Sequence, residues 1–270
     1  MLVEFTKMNG AGNDFILIDN RNLKLFLNKD QVVRLCDRHK GIGADGLIIL
    51  MPCASGKANW TWTFFNSDGS KADMCGNGAR CFARFIQRLT GVRDQVTFET
   101  GAGIITAQFL GDLVTITMTQ PKDLKMNEEV FLSSGPVTVH SINTGVPHTV
   151  LFVSNLDNIR VQDIGAQIRW HPQFAPAGTN VNFVQVMGPN SIRIRTYERG
   201  VEGETLACGT GVTASALISS ITQGFHSPIQ VKVKSGDTLE VGFKFENHNF
   251  KDVTLTGPAE FVFEGKFFIS

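Results

Sequence analysis

The chain has 270 residues, 42% of them hydrophobic, and its 25 basic side chains are balanced by 25 acidic ones. That length supports one large core or two of about 130 residues each. Zero net charge without a basic tract argues against nucleic acid or an anionic membrane surface as the main partner, and no apolar run approaches the roughly 20 residues of a membrane span.

The opening stretch MLVEFTKMNG lacks the charged start and apolar run of a signal peptide, so the cytoplasm is the expected location. The five cysteines are an odd number in a long chain, which does not suit a secreted disulfide framework; thiols are expected. Runs rich in β-branched and aromatic residues predict strands at Phe15–Asp19, Leu47–Met51 and Trp60–Phe65. MCGNGARC (74–81) then opens a helix, with apolar residues at Ala79, Phe82, Ala83, Ile86 and Leu89 and Gly91 as its stop. A hairpin follows over 104–118, and a domain boundary is expected near Gln120-Pro121. In the second half, VTASALISSITQG after Cys208 carries small and apolar residues on almost every side, as a helix enclosed by a sheet would. A second hairpin covers 238–257. The last run, FVFEGKFFI, is one strand more than that half requires and is expected to return to the first.

The halves repeat one another. Cys75 and Cys208, 133 residues apart, each open a Cys-Gly-x-Gly stretch. NGAGNDFILIDN (9–20) resembles NTGVPHTVLFVSN (143–155), GIGADGLIIL (41–50) matches PAGTNVNFVQV (176–186), and ETGAG (99–103) matches VKSGD (233–237). Four matches in one order at nearly equal spacing indicate a duplicated protein. The predicted fold is α/β (α+β): two pseudo-symmetric domains, each a largely antiparallel curled sheet around one central helix. The expected domains are 1–118 with 258–270, carrying Cys75, and 119–257, carrying Cys208.

A cysteine in the first turn of a helix faces unpaired backbone N–H groups and the positive end of the helix dipole, which favour the thiolate. Gly76 with Gly78, and Gly209 with Gly211, let backbone approach a bound carboxylate. If a pseudo-twofold axis brings the two helix starts together, two thiols flank one small acid, an arrangement suited to inverting a stereocentre by general acid–base catalysis. A covalent cysteine mechanism would need one nucleophile with its own histidine base. A dithiol redox protein, the reading from another class, would need neither a carboxylate cradle nor polar partners. No C-x₂₋₄-C pair of the zinc-binding kind occurs in the sequence, so no metal is expected. Cys36, Cys53 and Cys81 read as core or surface residues.

MNGAGNDF, GIGADG, FNSDGS with MCGNGARC, NTGVPH, GTNVNF and YERGVEGETLACGTG together resemble, in order and over the whole chain, the diaminopimelate epimerases. The resemblance implies interconversion of LL- and meso-diaminopimelate without pyridoxal phosphate, another cofactor or a metal, on the route to lysine and peptidoglycan. It also implies a homodimer. By position, Cys75 and Cys208 become the acid–base thiols, while Gly76-Asn77 and Gly209-Thr210 hold the α-carboxylate. His148 and Glu198 become the polar pair at the reacting centre, Asn13, Asn66 and Asn180 line the site, and Arg199 fixes the distal carboxylate.

Two positions depart from the family pattern: Gly46 stands where many members have Gln, and Val146 where many have Asn. The contacts that Gln and Asn would make there point at the distal end of the substrate. One extra residue in ERGVEGET (198–205) falls in a loop. Proline racemase relatives also pair two cysteines, but their substrate has no distal group to engage Arg199. Phenazine-type isomerases lack the pair.

Overall fold

The computed structural model describes residues 1–269. The chain divides into two units, Met1–Thr117 with the segment from Gly257 onward, and Met118–Thr256. Unit 1 contains β1 (Leu2–Gly10), β2 (Asn13–Asp19), α1 (Lys29–Cys36), β3 (Gly46–Pro52), β4 (Trp60–Asn66), α2 (Gly76–Thr90), β5 (Gln95–Thr100), β6 (Gly103–Leu110) and β7 (Leu113–Thr117). Unit 2 contains β8 (Lys122–Leu132), β9 (Gly135–Asn143), β10 (Pro147–Phe152), α3 (Val161–Arg169), β11 (Asn180–Gly188), β12 (Ser191–Glu198), β13 (Gly203–Thr205), α4 (Gly209–Gln223), β14 (Ile229–Lys232), β15 (Thr238–Glu246) and β16 (Asn249–Pro258). The last strand, β17 (Glu260–Phe268), pairs antiparallel with β1 and so belongs to unit 1.

Pairing in unit 1 runs β17-β1-β2-β3-β4-β5-β6-β7, with β2–β3 and β4–β5 parallel and the rest antiparallel. In unit 2 it runs β8-β9-β10-β11-β12-β14-β15-β16, with β10–β11 and β12–β14 parallel. The two orders correspond strand for strand. Even the short β13, which pairs with β12 on the way into α4, has a counterpart in the isolated bridge between Phe65 and Lys71 ahead of α2. The duplication read from the sequence is therefore a duplication of topology.

Each unit wraps its sheet round one helix. α2 touches β1, β2, β3, β5, β6 and β7, and α4 touches β9, β10, β11, β12, β14 and β15. Every residue from Gly76 to Ala83 is buried, and Phe82 packs on Trp62 and Phe98 with ring centroids 5.3 and 5.0 Å away. Truncating a buried phenylalanine of this kind typically costs about 3–5 kcal/mol. α4 is enclosed just as fully, which explains its Ala/Ser/Thr-rich sequence: strands on many sides leave room only for small side chains. Both helices stop on a glycine in the left-handed conformation, Gly91 at φ 71° and Gly224 at φ 67°.

The expectation of a single helix per half needs correcting, because α1 and α3 are additional. Parallel neighbours cannot be joined by a tight turn and need a crossover. α1 spans the crossover from β2 to β3, and α3 the one from β10 to β11. α1 has only eight residues, buries Val32, Leu35 and Cys36, and is started by a capping box between Asn28 and Gln31. So short an apolar stripe gives little periodic signal.

Candidate active site

In unit 1 the N-cap of α2 is Cys75 itself, in extended conformation, with its sulfur 3.5 Å from the backbone nitrogen of Gly78. The thiol thus sits where helices leave their first N–H groups unsatisfied. It also donates to Asn13 Oδ1 at 3.6 Å, and Asn13 Nδ2 donates to Asp45 at 2.5 Å. Asp45 and Asp14 are both held by Arg38, and Asp14 also pairs with the buried Lys7 at 2.8 Å. Burial opposes the charge on Asp14, but hydrogen bonds from Arg38 and Lys7 outweigh it and hold the carboxyl well below the usual range. This cluster, which the sequence reading missed, fixes the two loops that flank Cys75.

Gly76 and Asn77 form the first turn of α2. The guanidinium of Arg80, closed to solvent, donates to Asn77 Oδ1 at 2.9 Å and to the carbonyls of Gly76 and Pro258. The β1–β2 turn comes close because Gly10 has no side chain: a Cβ there would lie 2.9 Å from the carbonyl oxygen of Asn77. Asn66 ends β4 opposite Gly46, exposed, and donates to Ser70 Oγ at 3.0 Å.

At Gly46 the surroundings are close: an added Cβ would meet the Phe64 ring at 2.7 Å and the Phe65 carbonyl at 2.9 Å. Val146 lies in the turn before β10, half-buried, and its carbonyl accepts from the Thr144 N–H.

Cys208 is the N-cap of α4 as Cys75 is of α2; its carbonyl accepts from the Val212 N–H, and its sulfur lies 3.4 Å from the Thr210 hydroxyl. The Thr144 hydroxyl donates to the Thr210 carbonyl at 2.9 Å, tying the β9–β10 turn to the first turn of α4. Register places His148 on β10 opposite Asn180 on β11, and the Asn180 amide bonds to the Pro147 carbonyl and the Arg199 N–H. His148, Asn180, Glu198 and Arg199 are therefore neighbours at one end of three adjacent strands. Arg199 Nη1 donates to the Ala177 carbonyl at 3.0 Å, and Glu198 is half-buried. The loop after β12, which holds the extra residue, turns on Glu202 at φ 55°; its carboxylate accepts from Arg169, Tyr197 and the Gly200 N–H.

Burial, and then the positive charge of Arg199, push the His148 imidazole down to about 3, so the ring is neutral near pH 7. By contrast, the other buried thiols are poor proton carriers: burial pushes Cys36 and Cys81 up to about 12. Asn182 and Thr196, also absent from the sequence reading, contact His148 directly and through one another.

A central helix inside its own curled sheet, built twice, is a fold that this chain shares with solved structures of low sequence identity. A hydroxyproline epimerase from Agrobacterium vitis superposes with a TM-score of 0.72 at 16% identity, over 98% of this chain and 92% of that one. A Bacillus anthracis phenazine biosynthesis protein of the PhzF family gives 0.74 at 15% identity, over the full length of both. The family model for diaminopimelate epimerase matches residues 5–123 and 140–262. A diaminopimelate epimerase of Aquifex aeolicus is 44% identical, covering 98% of this chain and 97% of its own length. One of Chlorobaculum tepidum is 43% identical over 96% and 98%. The chain belongs to the diaminopimelate epimerase family.

Proposed function

We propose that this protein interconverts LL- and meso-2,6-diaminopimelate by two-base proton transfer. One of Cys75 and Cys208 takes the α-proton as thiolate, and the other, as thiol, protonates the opposite face of the carbanion. The observation that carries this reading is that α2 and α4, equivalent helices of two equivalent units, each begin on a cysteine N-cap. The N–H groups of Gly76-Asn77 and Gly209-Thr210 would hold the α-carboxylate, where backbone donors and the helix dipole favour an anion. Neutral His148 and Glu198 would polarise the α-amino group and the adjacent thiol, Asn13, Asn66 and Asn180 would line the site, and Arg199 would bind the distal carboxylate. Both proton carriers belong to the chain, so the reaction as written calls for no cofactor.

The same reading places the enzyme in the cytoplasm, among lysine and peptidoglycan precursors. Among the described residues no helix is long and apolar enough to cross a membrane. A homodimer is also proposed: β17 is an edge strand of unit 1, with exposed Phe261, Val262 and Phe263. The test of function is a panel of LL- and meso-diaminopimelate, proline and glutamate with the purified protein. Inversion of diaminopimelate alone is expected; turnover of proline instead would assign the chain to another substrate.

A further inference from the structure

Asn182, on β11, is closed to water, as are Thr149 and His148 beside it. Its amide nitrogen lies 3.1 Å from the Thr149 carbonyl and 3.1 Å from His148 Nδ1, and its oxygen accepts from the Thr196 hydroxyl at 3.0 Å. A carbonyl oxygen can only accept, so the contact with Thr149 decides which end of the Asn182 amide is NH₂. One N–H goes to Thr149, and the other points at the imidazole. The ring nitrogen it meets must then be a bare acceptor; a proton on Nδ1 would set two donors against each other in a dry interior. His148 Nε2, for its part, is buried and meets no partner among the described residues.

We propose that Asn182 is a positioning residue that locks neutral His148 in the Nε2–H tautomer, so that the ring offers a hydrogen-bond donor, not a base, to the reacting centre. This rests on the role given to His148 above and deepens it. A donor at Nε2 stabilises negative charge, on a thiolate or on the carboxyl end of the substrate, but cannot accept the proton of a thiol. The assembly is built into the start of the thiol-bearing helix. A Cβ at Gly211, three residues after Cys208, would lie 2.3 Å from Asn182 Oδ1 and 3.4 Å from His148 Cε1, so only glycine lets α4 close on this pair.

The tautomer can be read directly. With ring-¹⁵N histidine incorporated, the six histidines give resolvable ring nitrogens, and His148 is assigned by its loss in His148→Asn. At pH 7 the wild-type protein should show a protonated Nε2 and a bare Nδ1 at His148. In Asn182→Asp a carboxylate oxygen faces the ring, so the proton should move to Nδ1. At the same time kcat should fall about a hundredfold, the scale of a misplaced acid–base group, with KM nearly unchanged. A wild-type His148 protonated on Nδ1 would overturn the proposal without any variant having to fold. If Asn182→Asp moves the proton but leaves kcat unchanged, Asn182 does set the tautomer, but the role given to His148, and with it the catalytic positioning, falls.

Discussion

Arg38 grips Asp14 through both ends of its guanidinium, Nη1 at 2.9 Å and Nη2 at 2.8 Å from the two carboxylate oxygens. The same Nη2 reaches Asp45 at 2.9 Å, and Asp45 in turn holds Asn13, the acceptor of the Cys75 thiol. Arg38 is therefore three contacts away from a proposed proton carrier. Arg38→Leu should lower kcat/KM several-fold. The loss of stability should be no more than about 1 kcal/mol, because the guanidinium is half exposed and solvent screens the pairs. The acid dependence should change as well. The folded-state pKa of Asp14 is depressed, so its contribution is present above the ordinary carboxylate range near 3.8 and is lost as pH falls below it. Urea midpoints at pH 7 and pH 3 should accordingly differ less in Arg38→Leu than in the wild type. An equal acid loss in both would detach Asp14 from Arg38.

Either thiol alone should be insufficient. Cys75→Ala and Cys208→Ala are each expected to abolish inversion, because each leaves one face of the carbanion without a proton carrier. Cys53→Ala, at a half-buried thiol bonded to Glu99, should leave the rate within a factor of about two, as surface changes away from a site usually do. The readout is optical rotation of LL-diaminopimelate over time. More than a few per cent of activity in either of the first two variants would end the two-base reading.

Isotope flow distinguishes two opposed thiols from one polyprotic base. A thiol carries a single exchangeable proton, and the thiol that protonates the product has already equilibrated with water. In D₂O, the earliest product should carry α-deuterium while remaining substrate does not, in both directions of reaction. Mass spectrometry of separated isomers at under about a tenth of turnover measures this. Substantial unlabelled product would instead indicate one base serving both faces.

His148 should make the protein acid-sensitive above the carboxylate range. Burial holds its pKa down to about 3 in the folded protein, against 6.5 for a solvated imidazole, so the unfolded chain binds the extra proton. The contribution is complete above pH 6.5 and is lost as pH falls toward 3, by at most about 1.4 kcal/mol per pH unit. His148→Asn should flatten the stability curve between pH 6 and pH 4, measured by chemical unfolding. A parallel curve would mean that the ring is already protonated in the folded state.

Arg199→Met should reduce kcat/KM for diaminopimelate roughly ten- to a hundredfold, the usual worth of a charge-assisted contact. Exchange of the α-proton on a shorter amino acid should be spared. Unchanged kcat/KM on diaminopimelate would take Arg199 out of the site.

The cysteine-capped helices could be read from the sequence because a cap, two glycines and a terminating glycine are local signals within a few residues. The strands at β2, β3 and β4 were equally legible, being compact runs of β-branched and aromatic residues. What escaped depends on register. Asn182 meets His148 only because β10 and β11 pair in parallel with His148 opposite Asn180, and Arg38 meets Asp14 only once α1 has carried the chain back across the sheet.

The place that β8 fills in unit 2 is filled in unit 1 by β17, the final strand of the chain, and the Met1 amino group bonds to the Ile269 carbonyl at 2.6 Å. During synthesis on the ribosome, unit 2 is therefore complete first, although unit 1 emerges first. The helix bearing Cys75 must wait, with one edge of its sheet open, until the whole second unit has been made. A nascent chain halted after residue 256 would carry a finished unit 2 and an unfinished unit 1. Linking residue 270 to residue 1 and reopening the chain after Thr117 would remove that delay by giving two uninterrupted tandem copies of a single fold.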